Sequence, residues 1–496
     1  MASPNSPPVI VVGAGLAGLS AAYAALQAGA MSVYLLEQAA KPGGNSIKAS
    51  SGINGAPTRF QNAAKYGVDQ SFWDDTVRSA GSRLQASVAA PIKKHRQGLI
   101  STLTDGSAAA IDFLVDLGVD LSVVAQLGGH SKPRTHRGAG KTPPGASIVT
   151  TLLAKLKEQG GDRFNLVTEA EVTKLLVATT PNSNTNTNNH QQAVTGVEYR
   201  HPSHPLTLSG PVVFATGGFG GDTHGLLAQY RPDLDGLPST NDPRPGAHGV
   251  LTAAGARLVD MVSVQIHPTG FVDPAGPGVA LKFLAAEMLR GEGGILLHAG
   301  RRVVNELETR EHTSGAIMAL PPAEEVGGLR QWDVQLLLDP GATEAAAGHV
   351  GFYLWKGLLQ KKKVRELDET TRQTLRDYAA VVRGEKKDDL GRVAFGHWRL
   401  GVEGGDLDEE AEVCIGRVTP IVHFTMGGVV FNEQAQVLSS ELGEDEKPIP
   451  GLWAAGEITG GIHGDNRLGG SSLLECVVFG RIAGEQAARA ALNTAG

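Results

Sequence analysis

Val9-Ile-Val-Val-Gly-Ala-Gly-Leu-Ala-Gly-Leu-Ser20 decides the fold. The β-branched run before the glycines reads as a buried strand, and the alanine-rich run from Leu19 to Ala28 reads as a helix. Between them stands Gly13-Ala-Gly-Leu-Ala-Gly18, a G-x-G-x-x-G in the setting that gives it meaning. The glycines permit a tight turn, a close approach of backbone to a pyrophosphate, and close packing of helix on strand. Ser32-Val-Tyr-Leu-Leu36 forms the next strand and ends on Glu37, an acid about 20 residues past the glycines, placed to accept from a ribose hydroxyl. The chain therefore opens with a dinucleotide-binding βαβ unit.

The following residues choose the dinucleotide. Lys41-Pro-Gly-Gly-Asn45 and Ala49-Ser-Ser-Gly-Ile-Asn54 suit a chain that wraps FAD, and a simple NAD dehydrogenase has no use for them. Val212-Val-Phe-Ala-Thr-Gly-Gly-Phe-Gly-Gly221 is a further strand running into glycines, expected to return beneath the cofactor. Near the other end, Gly451-Leu-Trp-Ala-Ala-Gly-Glu457 is a short strand entering a glycine-rich loop that carries His463, Asp465 and Arg467. Ser471-Ser472 then opens an apolar helix reaching about Arg489. So much glycine points to backbone pressed on a bound group, and a helix N-terminus there favours the negative charge of a reduced flavin.

At 496 residues the chain is long enough for more than one domain, and 41% hydrophobic content is ordinary for a globular protein. A net charge of −7 without a basic patch argues against a nucleic-acid partner. No apolar run approaches the ~18 residues of a membrane helix, so no membrane partner is expected. Cys414 and Cys476 form neither CxxC nor CxxCH, which argues against disulfide, zinc and c-type haem frameworks; no metal is expected. The N-terminus lacks a basic n-region, which points to the cytoplasm, or to mitochondria if a leader has been removed.

Helices are expected from Phe72 to Arg83, from Ile100 to Leu117 and from Ile148 to Gln159. Gly128 to Arg137 reads either as a solvated loop or as a wall beside the flavin. Strands near Glu171–Val177 and Val194–Tyr199 flank the polar tract Thr179–Gln192, expected to be a mobile loop without chemistry. Residues 263–423 contain helices, lysine-rich loops and no second dinucleotide unit. The expected class is α/β, a Rossmann-like FAD-binding domain with an inserted α+β capping domain: 1–262 and 424–496 bind FAD, and 263–423 cap it. The aromatic run Phe352-Tyr-Leu-Trp355 reads as core.

Polar clusters punctuate the second half: Gln265-Ile-His-Pro-Thr-Gly270, Ala286-Glu-Met-Leu-Arg-Gly291, Asn305-Glu-Leu-Glu-Thr-Arg310, His423-Phe-Thr-Met-Gly-Gly428 and His463-Gly-Asp-Asn-Arg-Leu-Gly-Gly470. Glu287 and Arg290 stand three apart, the spacing of an ion pair on one helical face. In this order and spacing, over nearly the whole chain, these clusters resemble the soluble fumarate reductases, relatives of the succinate dehydrogenase flavoprotein. The likeness is strongest to the fungal single-chain type.

That resemblance implies reduction of fumarate to succinate, with Arg310 as acid fed by Glu287 and Arg290. His267, His423, Arg467 and Arg310 would ring the substrate. It implies FAD contacts at Gly13, Ala14, Gly15, Ala17, Gly18, Glu37, Gln38, Gly44, Asn45, Ser50, Ser51, Gly52, Val172, Ala215, Thr216, Gly217, Glu457, Ser472 and Leu473. Asn45 stands where covalent relatives have the attaching histidine, so FAD is expected to be non-covalent. Ala286 replaces a bacterial threonine, and His248 stands where the family often has an acid. His463 is kept outside the catalytic set. The electron donor is expected to be external, a reduced flavin such as FMN or FAD, or a reductase, and the protein a monomer. Alternatives are another enedioate or activated alkene, such as urocanate or a ketosteroid, an L-aspartate oxidase, or a non-catalytic flavin relay. Two arginines suit a small dianion better than a steroid.

Overall fold

In the computed structural model, residues 6–140, 142–181, 190–201, 204–323, 326–402 and 405–493 are described. Most of the polar tract expected to be a mobile loop, residues 182–189, lies outside them. The first body is a six-stranded sheet in the order Gln436–Leu438, Pro448–Ala454, Val212–Phe214, Val9–Val12, Val33–Leu36, Phe164–Val167. Every neighbouring pair is parallel except the edge strand Gln436–Leu438. Residues of the Val9–Val12 strand are 0–4% exposed, as a parallel strand covered on both faces requires.

Helices Leu16–Gln27 and Ser471–Asn493 cover one face. Small residues let their backbones meet. A Cβ on Gly484 would stand 2.0 Å from the Ala21 carbonyl oxygen, and one on Gly480 would stand 2.5 Å from that of Ala17. This crossing brings the first and last segments of the chain together, and with them the two glycine-rich loops. The opposite face is covered by the antiparallel ribbon Glu171–Pro181, His190–His201 and His204–Ser209, through Leu175, Val194 and Val197.

The second body is a seven-stranded antiparallel sheet built on Glu412–Thr425, which pairs with Val264–Phe271, Val334–Leu338 and Gln360–Lys363. Phe283–Leu284, Ile295–His298 and Arg301–Arg302 complete it. The α/β class with a Rossmann-like sheet and an antiparallel cap is the class observed. The chain passes between the bodies twice, side by side: Leu258–Val259 pairs with Gly428–Val429, just outside the Val264–Thr425 pair.

Several elements differ from the sequence reading. The helix expected from Phe72 to Arg83 ends at Ser79, with a separate 3-10 turn over Gly81–Leu84. The one expected from Ile100 to Leu117 is a pair, Ala90–Asp105 and Ser107–Asp116, breaking at Gly106. Pro91 and Pro144 open their helices well before the apolar periodicity begins, because proline suits the first turn, where its missing N–H costs nothing. By length and composition alone, Ala90–Asp116 would cross a membrane. Here Leu99, Ile100, Leu103, Ala110, Ile111 and Leu114 are fully buried in the core, as in an ordinary core helix pair. The aromatic run is not core throughout: Tyr353 is buried at 3%, but Phe352 and Trp355 are 43% and 76% exposed. Helix Ala347–Trp355 buries only the face that carries Val350 and Tyr353.

Candidate active site

A cavity of about 990 Å³ runs between the two bodies. One end is floored by the turn after Val12. Gly13 has φ +100°, and a Cβ there would stand 2.4 Å from the Ala215 carbonyl oxygen, so only glycine fits. A Cβ on Gly18 would collide with the Gly13 carbonyl at 1.8 Å, so that glycine serves helix–strand closure. Glu37 ends the second strand on the cavity wall, and its oxygens accept from Ala14 N and Ala39 N, both at 2.8 Å. The carboxylate thereby fixes the turn and keeps lone pairs for a ligand hydroxyl. The buried Thr216 hydroxyl lines the cavity without a partner among the described residues. These features fit an adenine dinucleotide. Apart from Ala14 and Gly18, which pack behind the turn, every residue expected to contact FAD lies on the wall of this cavity.

Asn45 donates to the Asn241 side chain, and Ser46 Oγ accepts from Leu16 N at 3.2 Å. Asn241 and Thr240, which bonds His423 Nδ1 at 3.2 Å, escaped the sequence reading because no motif marks them. His248 does not line the cavity. It is buried against Phe219 with both ring nitrogens unpartnered, and burial pushes it down to about 4. The loop Gly128–Arg137 is solvated only in part: Gly129 and Ser131 are exposed, but Arg134 is fully buried on Asp69 and Asp75, and Arg137 lines the cavity beside Glu292.

The other end of the cavity is a cluster of buried charge. Arg310 opens the helix Arg310–Met318, and Thr309 caps it by accepting from His312 N. Arg310 Nε donates to Glu287 Oε2 at 2.8 Å and Nη2 donates to the same oxygen. Its Nη1 donates to Gln265 Oε1 at 2.9 Å, and Arg467 Nη2 donates to that same oxygen at 3.0 Å. One amide oxygen thus sets the spacing of two guanidiniums. Arg467 lies 4.3 Å over the Phe424 ring. The pairing of Gln265 with Phe424 across the sheet puts these residues in register.

Glu287 is not paired with Arg290. The helix there is only Met288–Gly291, with Glu287 at its N-cap, so the i,i+3 geometry of a long helix does not apply. Arg290 Nη1 instead donates to the Glu306 carbonyl at 2.7 Å, while its Nε and Nη2 are buried without partners among the described residues. Burial holds the Arg290 guanidinium below its ordinary range. Burial pushes the Glu287 carboxyl up, but Arg310 and Arg290 overcome it and hold it at about 2.

His267 and His423 meet edge to face with ring centroids 5.5 Å apart. Both are held well below the usual imidazole range, by burial first and by the nearby Arg310 charge next. His267 Nδ1 accepts from Thr269 N at 3.2 Å, so the neutral ring carries its hydrogen on Nε2, which is buried without a partner among the described residues. Arg467 Nε is likewise buried and unpartnered, and burial, with Arg310 beside it, brings the Arg467 guanidinium down to about 9. A buried donor without an acceptor costs about 1–3 kcal/mol. Several of them in one cluster of uncompensated positive charge call for an anionic ligand. His463 takes no part: its Nε2 bonds Glu475 Oε2 at 2.6 Å.

Comparison with known proteins agrees with this geometry. The profile of the family described as FAD binding domain matches residues 8–473. The chain is 39% identical to the fumarate reductase of Schizosaccharomyces pombe, over 99% of this chain and 91% of that one. It is 40% identical to fumarate reductase 1 of Saccharomyces cerevisiae, over 97% and 98%. Its fold matches the open conformation of a flavocytochrome c3 fumarate reductase at TM-score 0.72 and 30% identity, covering 99% of this chain and 79% of the other. FAD is the cofactor for which the dinucleotide turn is built. The chain belongs to the FAD-binding-domain family of oxidoreductases, among its fumarate reductases.

Proposed function

We propose that this enzyme reduces fumarate to succinate, with the dianion held between the FAD-binding body (residues 1–262 and 424–496) and the cap (263–423), and with Arg310 as the proton donor. The observation that carries the reading is the Arg310–Gln265–Arg467 bridge beside the unpartnered donors His267 Nε2 and Arg467 Nε. A dicarboxylate of fumarate's size accepts from such donors at both ends, and arginine's planar fork suits each carboxylate. Bound FAD supplies the hydride. Donors that grip one carboxylate stabilise the charge that grows on it and so polarise the double bond.

Arg310 gives a proton to the second alkene carbon, so hydride and proton together convert fumarate to succinate. Glu287 makes that donation renewable. While Arg310 is charged, it and Arg290 hold the Glu287 carboxyl low against burial. Once Arg310 is neutral, the larger part of that pull is gone and only Arg290's remains, burial raises Glu287, and a proton drawn onto its carboxyl passes to Arg310 Nη2. Arg290 stands behind the pair as the next group on the way out. The FAD is non-covalent, with Asn45 bonded to Asn241, and its electrons come from an external reduced flavin or a reductase.

The test is anaerobic: the photoreduced holoenzyme is mixed with fumarate, and flavin absorbance is followed for wild type and Arg310→Ala. Fast reoxidation in wild type, lost in the variant while FAD stays bound, supports both substrate and acid. A wild-type flavin that stays reduced in the presence of fumarate rules the substrate out.

A further inference from the structure

We propose that Glu457 carries a proton that is taken up when the bound FAD is reduced and released when it is reoxidised. Two buried carboxylates nearby have arginine partners, Glu287 with Arg310 and Glu306 with Arg302 and Arg392, while Glu475 bonds His463 and Glu37 takes only backbone donors. Glu457 makes no ion pair among the described residues. Its Oε1 accepts from Thr425 N at 2.9 Å and from Thr425 Oγ1 at 3.1 Å, and it lines the cofactor cavity. Its position is between the two ends of that cavity. Gly456, beside it, packs on the dinucleotide-turn helix, where a Cβ would stand 3.0 Å from Ala17 Cβ. Thr425, which holds its carboxyl, follows Phe424, the ring beneath Arg467. Glu457 is partly buried and faces the cavity, so charge added to a cofactor that links these two ends is felt there at short range.

The charged and titratable groups facing it are Glu475 and Cys476 from the helix Ser471–Asn493, and Arg467 from the loop before it. His463 bonds Glu475 Oε2. Burial, with Glu475 adding to it, raises the Glu457 carboxyl to about 7, against bonds from Thr425 and the charge of Arg467. The site therefore stands poised between its two forms at physiological pH. Reduction by two electrons and one proton adds one negative charge to the cavity. An ionised Glu457 then takes a second proton from solvent, so two electrons enter with two protons and the carboxyl ends neutral. Reoxidation returns that proton. The role is one of tuning the cofactor, and it rests on the FAD site but not on fumarate as substrate.

The experiment is the midpoint potential of the FAD-loaded protein between about pH 7 and about pH 9, for wild type, Glu457→Gln and Glu457→Asp. The expected result is a slope of two protons per two electrons over part of that range in wild type and Glu457→Asp, falling to one in Glu457→Gln. The same slope in all three overturns the proposal. Should Glu457→Gln bind FAD poorly, infrared difference spectra of the FAD-free proteins decide. A neutral carboxylic acid band should be present near pH 6, lost by about pH 9, and missing from Glu457→Gln. The same titrating band in the variant overturns the assignment. Fumarate enters neither measurement, so its failure as a substrate leaves this result standing.

Discussion

Two of the buried arginine clusters in this fold, those around Arg134 and around Arg310 and Arg467, differ in one respect. Around Arg134 every nitrogen is used: Nε and Nη2 donate to Asp69 at 2.8 and 3.1 Å, Nη1 donates to Asp75 at 2.6 Å, and Ser71 and His130 take further contacts. Around Arg310 and Arg467 the carboxylate supply stops short. Glu287 satisfies one edge of Arg310, Gln265 offers one neutral oxygen to two cations, and Arg467 Nε and His267 Nε2 have no partner among the described residues. Burial is alike in the two. A cluster with its polar groups all matched is a brace, and one left short of acceptors is a place for a ligand.

The sharpest way to break this contrast is Arg310→Ala. Turnover of fumarate should fall by about 10²–10⁴-fold, the usual range for losing a general acid, with FAD still bound. Arg310→Lys should rescue little, because a point charge cannot serve Glu287 and Gln265 together. Steady-state kinetics per bound flavin checks both, and near-normal turnover in either would remove Arg310 from the chemistry.

Arg134→Met probes the brace. It strands Asp69 in the interior and leaves Asp75 only Arg78, and breaking a buried pair costs about 3–5 kcal/mol. Denaturant unfolding should reveal that loss, while turnover per folded, FAD-loaded molecule stays close to wild type. A variant that folds normally but turns over slowly would mean that the Arg134 cluster belongs to the active site after all.

Much of this was legible in the sequence, and unevenly so. The dinucleotide end is local: strand, glycines, helix and acid lie within Val9–Glu37, and backbone geometry makes Gly13 and Gly18 obligatory. The charge cluster is not local. Gln265 touches Arg467 across 202 residues, and nothing in the composition of either segment announces it. Motif resemblance named Arg310, Glu287 and Arg467, but spacing paired Glu287 with the wrong arginine. A periodicity argument assumes a helix longer than the four residues present at Met288–Gly291. The exposed Phe352 and Trp355 failed for a similar reason, since an apolar run does not reveal which of its faces the sheet covers.

If the second cluster is short of acceptors, the product dicarboxylate should supply them. Succinate added to the oxidised holoenzyme at about 100 times its Kd should stabilise the fold by about 2.7 kcal/mol. Differential scanning fluorimetry would read this as an upward shift in Tm. Arg467→Ala should abolish the shift, and Arg134→Met, though less stable at the outset, should keep it. A shift that survives in Arg467→Ala would place the anion elsewhere.

The smallest effect expected is also the one that turns the comparison from arginines to acids. Glu287 is partnered and its carboxyl is held at about 2, below the 4.5 of an unfolded chain. The stability it contributes is present above pH 4.5 and lost as pH falls toward 2. Glu457 has no cation, and its folded value of about 7 lies above the same reference. Its folded state holds the proton that the unfolded chain gives up, so its contribution is full below pH 4.5 and lost as pH rises to about 7. The two carboxyls therefore tilt stability in opposite directions on either side of pH 4.5. In urea unfolding of the FAD-free protein, Glu457→Gln should flatten the decline between about pH 4.5 and about pH 7 and leave the acid limb below pH 4.5 in place. An unchanged neutral limb would mean that Glu457 is ionised in the fold, and that some cation compensates a charge which burial alone would not tolerate.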